Sequence, residues 1–314
     1  MLRWFKTLLA VSAISLVAAC GSDDDEVTIQ GPSKNIVETA QSLPEFSILV
    51  EAVTAAGLGT TLSGTGPFTV FAPTNDAFAA LLTELGVTKD QLLADKDLLT
   101  AVLTYHVLPA QVKAADVPLG KAVSTVQGGV FKVDATGGKL VITDGRNRTS
   151  NITATDVLAS NGVIHVIDKV ILPANKTIVE TAQSLPQFSI LVEAVVAADL
   201  VDALNGKGPL TVFAPTNDAF AELLTELNVT KDALLADKAL LTAVLTYHVV
   251  DGRVLKADVP LNTPIKTLQG GTFTIDSMLM INDQRMRKAS IVATDVFASN
   301  GVIHVIDKVI LPAP

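Results

Sequence analysis

The ten residues "TVFAPTNDAF" at positions 69–78 return unchanged at positions 211–220. Their apolar alternation predicts a buried strand that stops at Pro73, because proline has no backbone N–H to donate to a sheet. Thr74 or Asn75 is the predicted N-cap of a following helix, and Asp76 lies in the positively polarised first turn of that helix. The stretch therefore predicts a strand, an abrupt stop and a capped helix, and capping explains its polar residues.

The duplication extends over most of the chain. "IVETAQSLPEFSILVEAV" (36–53) returns with one change at 178–195, and "SNGVIHVIDKVILP" (160–173) returns at 299–312. The offset between the copies falls from 142 (178 − 36) to 139 (299 − 160), so the second copy is three residues shorter. The repeat predicts two homologous domains, 35–174 and 175–314, each long enough to fold around its own core.

Within each copy, helical spacing comes first and strand alternation follows. Pro44 is predicted to open a second helix, and "DLLTAVLTYHVLPA" (97–110) predicts a later helix that Pro109 ends. Three segments between 128 and 157 read as strands, with a hairpin at Asp144-Gly145. The nearly all-apolar "NGVIHVIDKVILP" predicts a central strand. The fold class predicted is α+β, with the helices before the sheet.

Composition narrows the possible functions. The 314 residues are 49% hydrophobic and 18% charged, which is typical of folded domains rather than of disordered chains. The formal net charge of −9 argues against general binding of nucleic acid, since an acidic surface repels phosphates.

The first residues have the pattern of an export signal. Two basic residues in "MLRWFK" precede the apolar run "TLLAVSAISLVAA", which is too short to span a bilayer comfortably. The run ends in "LVAAC", which resembles the bacterial lipobox and predicts a signal peptide at 1–19 and lipidation of Cys20. An ordinary signal peptide with a chance cysteine is the alternative. Residues 20–34 are acidic and predict a solvated tether, so the lipid on Cys20 would anchor the protein to a membrane.

The repeated motifs resemble the three signatures of the fasciclin domain. They are "TVFAPTNDAF", the Tyr-His of "LTYHV" and the closing "SNGVIHVIDKVILP", in that order in both copies. The resemblance covers residues 35–313. It implies a β-sandwich or wedge packed against several helices in each domain, and a role in adhesion or contacts with the extracellular matrix.

One set of candidate binding residues lies in the Tyr-His motif: Tyr105, His106, Tyr247 and His248. In animal relatives this region is linked to integrin binding, so partial exposure of these side chains would serve recognition. Core histidines with satisfied hydrogen bonds are the structural alternative.

A second set is basic, on an otherwise acidic chain: Arg146, Arg148, Arg285, Arg287 and Lys288. They predict either a patch for an anionic glycan or other partner, or ordinary variation of a surface loop. The four histidines have no further ligands at metal-binding spacing, and no enzyme motif is present. The sequence thus predicts no catalytic residue, metal site or cofactor.

These observations predict a lipid-anchored protein of the cell envelope, at the outer membrane or cell surface. Its expected activity is adhesion to a cell-surface protein or polysaccharide. A carrier of a pigment or other apolar small molecule is the alternative, and it requires an apolar pocket beyond the core. A hydrolase ranks last, because no nucleophile–base pair is evident.

Overall fold

The computed structural model describes residues 31–314. The predicted signal peptide, Cys20 and the tether as far as residue 30 lie outside the described residues.

The helices of the first domain begin at the residues that the sequence marks. Asn35 caps the first helix and forms a capping box with Glu38. Pro44 opens a short 3₁₀ turn that leads into the second helix. Thr74, rather than Asn75, is the N-cap after the first strand. The helices are α1 (Ile36–Gln41), α2 (Ser47–Ala55), α3 (Gly59–Leu62), α4 (Asn75–Leu85), α5 (Lys89–Ala94) and α6 (Lys96–Tyr105).

Asn75 has a different task from capping. Its Oδ1 accepts a hydrogen bond from the Ile48 N–H (3.0 Å), and its Nδ2 donates to the Pro44 carbonyl (3.0 Å). It thereby fixes the start of α2 against the start of α4, and the prediction that capping alone explains the polar residues is incomplete.

Seven strands of the first domain form one sheet, in the order β2-β1-β7-β6-β5-β4-β3. Strand β7 pairs in parallel with β1 and antiparallel with β6, and all its residues are buried, which confirms the predicted central position. The strand ends at Ile167, so the prediction that it extends to Pro173 is wrong. The strands are β1 (Phe68–Pro73), β2 (Val107–Leu108), β3 (Ala122–Ser124), β4 (Val130–Thr136), β5 (Lys139–Thr143), β6 (Thr149–Ala159) and β7 (Gly162–Ile167).

The predicted helix 97–110 is wrong at its C-terminal end. Helix α6 ends at Tyr105, before Pro109, because Val107 and Leu108 pair with β1 instead. The gain in sheet pairing and burial at these two apolar residues outweighs one further helical turn.

The sheet buries apolar side chains on both faces. One face packs against the helices through residues such as Phe46, Phe78 and Leu99. The other face holds a cluster with members from all seven strands, so the sheet curls around it like a barrel; its largest side chains are Phe71, Tyr105 and Phe131.

The second domain repeats this architecture, with strand order β10-β11-β12-β13-β14-β8-β9. The α+β class and the tandem arrangement are confirmed. Its helices are α7 (Ile178–Gln183), α8 (Ser189–Ala197), α9 (Val201–Leu204), α10 (Asn217–Leu227), α11 (Lys231–Ala236) and α12 (Lys238–Tyr247). Its strands are β8 (Leu210–Pro215), β9 (Val249–Asp251), β10 (Ile265–Lys266), β11 (Thr272–Ile275), β12 (Met280–Asn282), β13 (Lys288–Ala298) and β14 (Gly301–Ile306).

Candidate binding surfaces

The tyrosine of the Tyr-His motif connects the end of α6 to the hairpin turns. The Tyr105 hydroxyl donates to the Val130 carbonyl (2.6 Å) and accepts from the Gly145 N–H (2.8 Å). In the second domain, Tyr247 donates to the Thr272 carbonyl (2.7 Å). Both tyrosines are fully buried, and burial raises the pKa of Tyr105 well above its usual range and that of Tyr247 to about 12.

The histidine of the motif also belongs to the core. Nδ1 of His106 lies 2.7 Å from the Val102 carbonyl, and Nε2 accepts from the Ile171 N–H (3.1 Å). Because Nε2 accepts, the ring is neutral with its proton on Nδ1. Burial lowers the pKa of His106 and of His248, which repeats the arrangement, to about 4. His106 and His248 are each only 2% exposed, as a satisfied core histidine requires.

The partial exposure predicted for Tyr105, His106, Tyr247 and His248 is therefore wrong. The sheet is covered on both faces, and these side chains are buried in the core where helix, sheet and hairpin turn meet. A binding role for them would require another element to move away first.

The four arginines lie on two equivalent turns, each built around a buried aspartate, and Lys288 begins β13. Oδ1 of Asp144 accepts from the N–H groups of Arg146 and Arg148 (both 2.9 Å), and Oδ2 accepts from the Leu172 N–H (2.9 Å). Desolvation raises the pKa of Asp144 although these bonds oppose it. Asp283 organises the second turn in the same way. The predicted hairpin at Asp144 is thus confirmed.

Most of the arginine side chains stabilise the fold. Arg148 lies 3.3 Å from Glu84 and donates to the Val170 carbonyl, while Arg287 pairs with Glu226 at 2.8 Å. The Arg148 and Arg287 side chains are only 22% and 17% exposed.

The other two arginines bond to the backbone: Nε of Arg146 donates to the Pro173 carbonyl and Nε of Arg285 to that of Pro312. Lys288 is exposed, with no ion pair among the residues that the structure describes. The structure therefore does not assemble the five basic residues into one open patch, since the contacts of the four arginines hold the hairpin turns against neighbouring segments.

The main feature that sequence reasoning missed is the contact between the domains. Phe297 (2% exposed) and Leu255 of the second domain pack against Ala122 and Val130 of the first. At the edge of this apolar contact, the Lys132 ammonium of the first domain lies 2.9 Å from the Asp295 carboxylate of the second. The apolar contact together with a largely buried ion pair fixes the domains to each other.

A turn of the first domain also covers an unpaired part of β13. The Phe297 N–H donates to Oδ1 of Asn147 (2.6 Å), and Nδ2 of Asn147 donates to the Phe297 carbonyl (3.1 Å). Strand β12 pairs with β13 only at residues 288–290, so the later part of that edge lacks a strand neighbour. The side-chain amide of Asn147 supplies the missing partners.

The equivalent face of the first domain is exposed. Leu158 stands where the second domain has Phe297 and is 48% exposed, and the exposed Lys113 stands where the second domain has Leu255. Aligning the two copies shows these differences in the sequence, but their meaning depends on knowing which face is covered.

Apolar cavities are small. Each domain has a space of about 30 Å³ between its first helices and the sheet, and the first domain has another of about 160 Å³ beneath α4, α5 and α6. Binding pockets for drug-sized molecules usually measure about 300–1,000 Å³. None of these three spaces among residues 31–314 reaches that volume.

Within residues 31–314, no group of three histidine, cysteine or acidic side chains is arranged to hold a metal ion, and no helix is long and apolar enough to cross a membrane.

The chain belongs to the fasciclin domain family. The family model for the fasciclin domain matches residues 44–173 and 186–312. Human periostin is 30% identical over 92% of the chain, which spans 32% of periostin. Protein sll1483 of Synechocystis is 46% identical over 47% of the chain and 79% of that protein. A solved FAS1 domain pair from the insect cell adhesion molecule Fasciclin I has a TM-score of 0.43 at 21% identity, covering 85% of this chain and 95% of that one.

Proposed function

We propose that this protein is a non-enzymatic lipoprotein of the cell envelope that mediates adhesion, through its first domain, to a cell-surface or matrix component. Fasciclin-domain relatives are linked to cell adhesion, which supports the activity. The lipobox-like "LVAAC" ending at Cys20 supports the anchor.

One observation carries the adhesive role. The second domain uses the face around Phe297 and Leu255 for a contact between domains, and the same face of the first domain is open around Leu158. The open face carries the unpaired later part of β6, since β5 pairs with β6 only at residues 149–151. An exposed strand edge with an adjacent apolar residue is suited to binding another polypeptide. This favours a protein over a polysaccharide as the partner.

The test compares two substitutions of exposed apolar residues by lysine. Leu158→Lys alters the open face, and Val196→Lys alters helix α8 of the second domain, where Val196 is 53% exposed. Adhesion of beads coated with the full chain to envelopes or matrix should fall severalfold for Leu158→Lys only. Both variants should keep their melting temperatures, because surface substitutions usually change stability by no more than about 0.5 kcal/mol. Unchanged adhesion of the folded Leu158→Lys protein would remove this face from the proposal.

The anchor is tested separately with Cys20→Ala. Stable attachment needs more than one acyl chain, and the lipid on a lipoprotein cysteine supplies it. Cells fed a labelled fatty acid should label the unchanged chain and not the variant. Equal labelling of both would reject the lipobox interpretation and leave the adhesive role untouched.

A further inference from the structure

A polar cleft of about 290 Å³ lies between the two domains. The first domain contributes the turn Gln127–Gly129 and Gly145, and the second contributes Arg253 and Ser299. The cleft is far larger than the space of one water, which takes up about 30 Å³ in the liquid. It is close to the lower end of the volumes that hold small ligands.

Arg253 is the only charged side chain among the residues that line this cleft. Its Nε atom is buried and has no hydrogen-bond partner among the described residues, and no ion pair to Arg253 is found there. Burial lowers the pKa of Arg253. Arg253 is only partly exposed, and a buried guanidinium N–H without a partner is costly, so an anion in the cleft would supply the missing interaction.

The arginine is specific to the place where the domains meet. The equivalent residue of the first domain is Gln111, which is exposed on that domain's open face. The fasciclin fold itself therefore does not need an arginine at this position, and the cation occurs only in the copy whose face is covered.

Backbone forms much of the opposite wall. A Cβ atom on Gly145 would lie 2.3 Å from the Ala174 nitrogen, and one on Gly129 would lie 3.1 Å from the Tyr105 ring. The N–H groups of Gly145 and Gly129 already donate to the Tyr105 hydroxyl and to Oε1 of Gln127. These backbone donors are already used, so recognition of a charged ligand depends on Arg253.

We propose that the cleft between the domains binds a small anion with a carboxylate or phosphate group, and that Arg253 is the residue that pairs with it. The planar guanidinium matches both groups with two parallel hydrogen bonds. The net charge of −9 disfavours a long polyanion and leaves a monosaccharide-sized acid as the ligand that suits the cleft. This inference does not rest on the adhesive role, because the cleft is separate from the open face around Leu158.

The experiment uses the full chain and two variants that lose one positive charge each. Arg253→Gln gives the second domain the residue of the first, and Lys288→Gln removes an exposed charge outside the cleft. Acetate, inorganic phosphate and glucuronate are the probes, each compared with chloride at equal ionic strength. Binding is followed by the amide NMR signals of Gly128 and Gly129 and by the melting temperature.

We expect saturable shifts and a raised melting temperature for the unchanged chain and for Lys288→Gln, since a ligand that binds only the folded state stabilises it. Arg253→Gln should bind at least about tenfold more weakly, as expected for the loss of charge-assisted bonds. Without the anion this variant should melt no lower than the unchanged chain, because it removes a cation that has no partner. If Arg253→Gln unfolds, Arg253→Lys is used instead. We expect Arg253→Lys to bind more weakly than the unchanged chain, because an ammonium cannot make the two parallel hydrogen bonds of the guanidinium. Equal binding by a folded Arg253 variant, or no saturable response to any probe, would overturn the proposal.

Discussion

Replacing Asn147 by glycine should loosen the contact between the domains without straining the turn. Asn147 has a φ of 62°, a conformation that glycine adopts at no steric cost. The substitution removes the two hydrogen bonds from the Asn147 amide to the backbone of Phe297. At about 0.5–1.5 kcal/mol net for each bond, the loss is about 1–3 kcal/mol.

The second domain offers a matched control. Met286 occupies the equivalent position with a φ of 58° and is 91% exposed. Met286→Gly therefore makes the same backbone change, with the same effect on the unfolded chain, at a turn that covers no other domain. The difference between the two variants measures the hydrogen bonds of Asn147.

Native-state hydrogen exchange is the suitable assay, because a two-domain chain need not unfold in one step. The Phe297 amide should exchange roughly 5- to 150-fold faster in Asn147→Gly, the range that corresponds to about 1–3 kcal/mol. The Met286→Gly variant should leave that amide unchanged. If the Phe297 amide exchanges equally fast in both variants, the two hydrogen bonds of Asn147 do not secure the contact between the domains.

Two further predictions concern charge. His106 and His248 have a pKa of about 4 when folded, against about 6.5 when unfolded, so the unfolded chain binds more protons as the pH falls through this window. Urea titrations should therefore show that the free energy of unfolding of each domain falls by about 2 kcal/mol between about pH 7 and pH 5. A free energy that does not change with pH would mean that these rings are not buried as neutral groups. Arg148→Glu should cost about 2 kcal/mol or more in a thermal or urea melt, since it sets a carboxylate beside Asp144. Lys288→Glu should stay within about 0.5 kcal/mol, and equal losses for both variants would contradict the structural role of Arg148.

Local chemistry made much of the fold predictable. The strand, stop and helix of residues 69–78 follow from alternation, a proline and a cap, all of which act within a few residues. The central position of β7 follows from its nearly all-apolar sequence, because a strand that is covered on both faces has no solvent-facing polar side. The end of α6 at Tyr105 did not follow, since Val107 and Leu108 fit a helix equally well until β1 is placed beside them.

The candidate sites were harder to predict, because burial of a residue by the other domain does not change the sequence pattern around that residue. Asp156 and Asp295 are the same residue at equivalent positions, yet Asp156 is exposed and Asp295 is 5% exposed beside Lys132. The local sequence around the basic residues likewise does not show which distant residues they contact. Whether Arg148 serves a partner or the fold depends on Glu84, which lies 64 residues away in sequence (148 − 84).

The differences between the copies also bear on how far the contact extends beyond one chain. The contact joins two different faces, one from each domain, in a head-to-tail manner. The second domain of another chain could therefore meet the open face of the first domain in the same way. Such a chain would place Thr274 where Lys132 pairs with Asp295, and Met286 where Asn147 bonds to Phe297. Neither residue can replace the interaction: Thr274 carries no charge, and Met286 has no amide. The contact is thus built for the pair within one chain, and a second copy of the chain does not suit the face around Leu158.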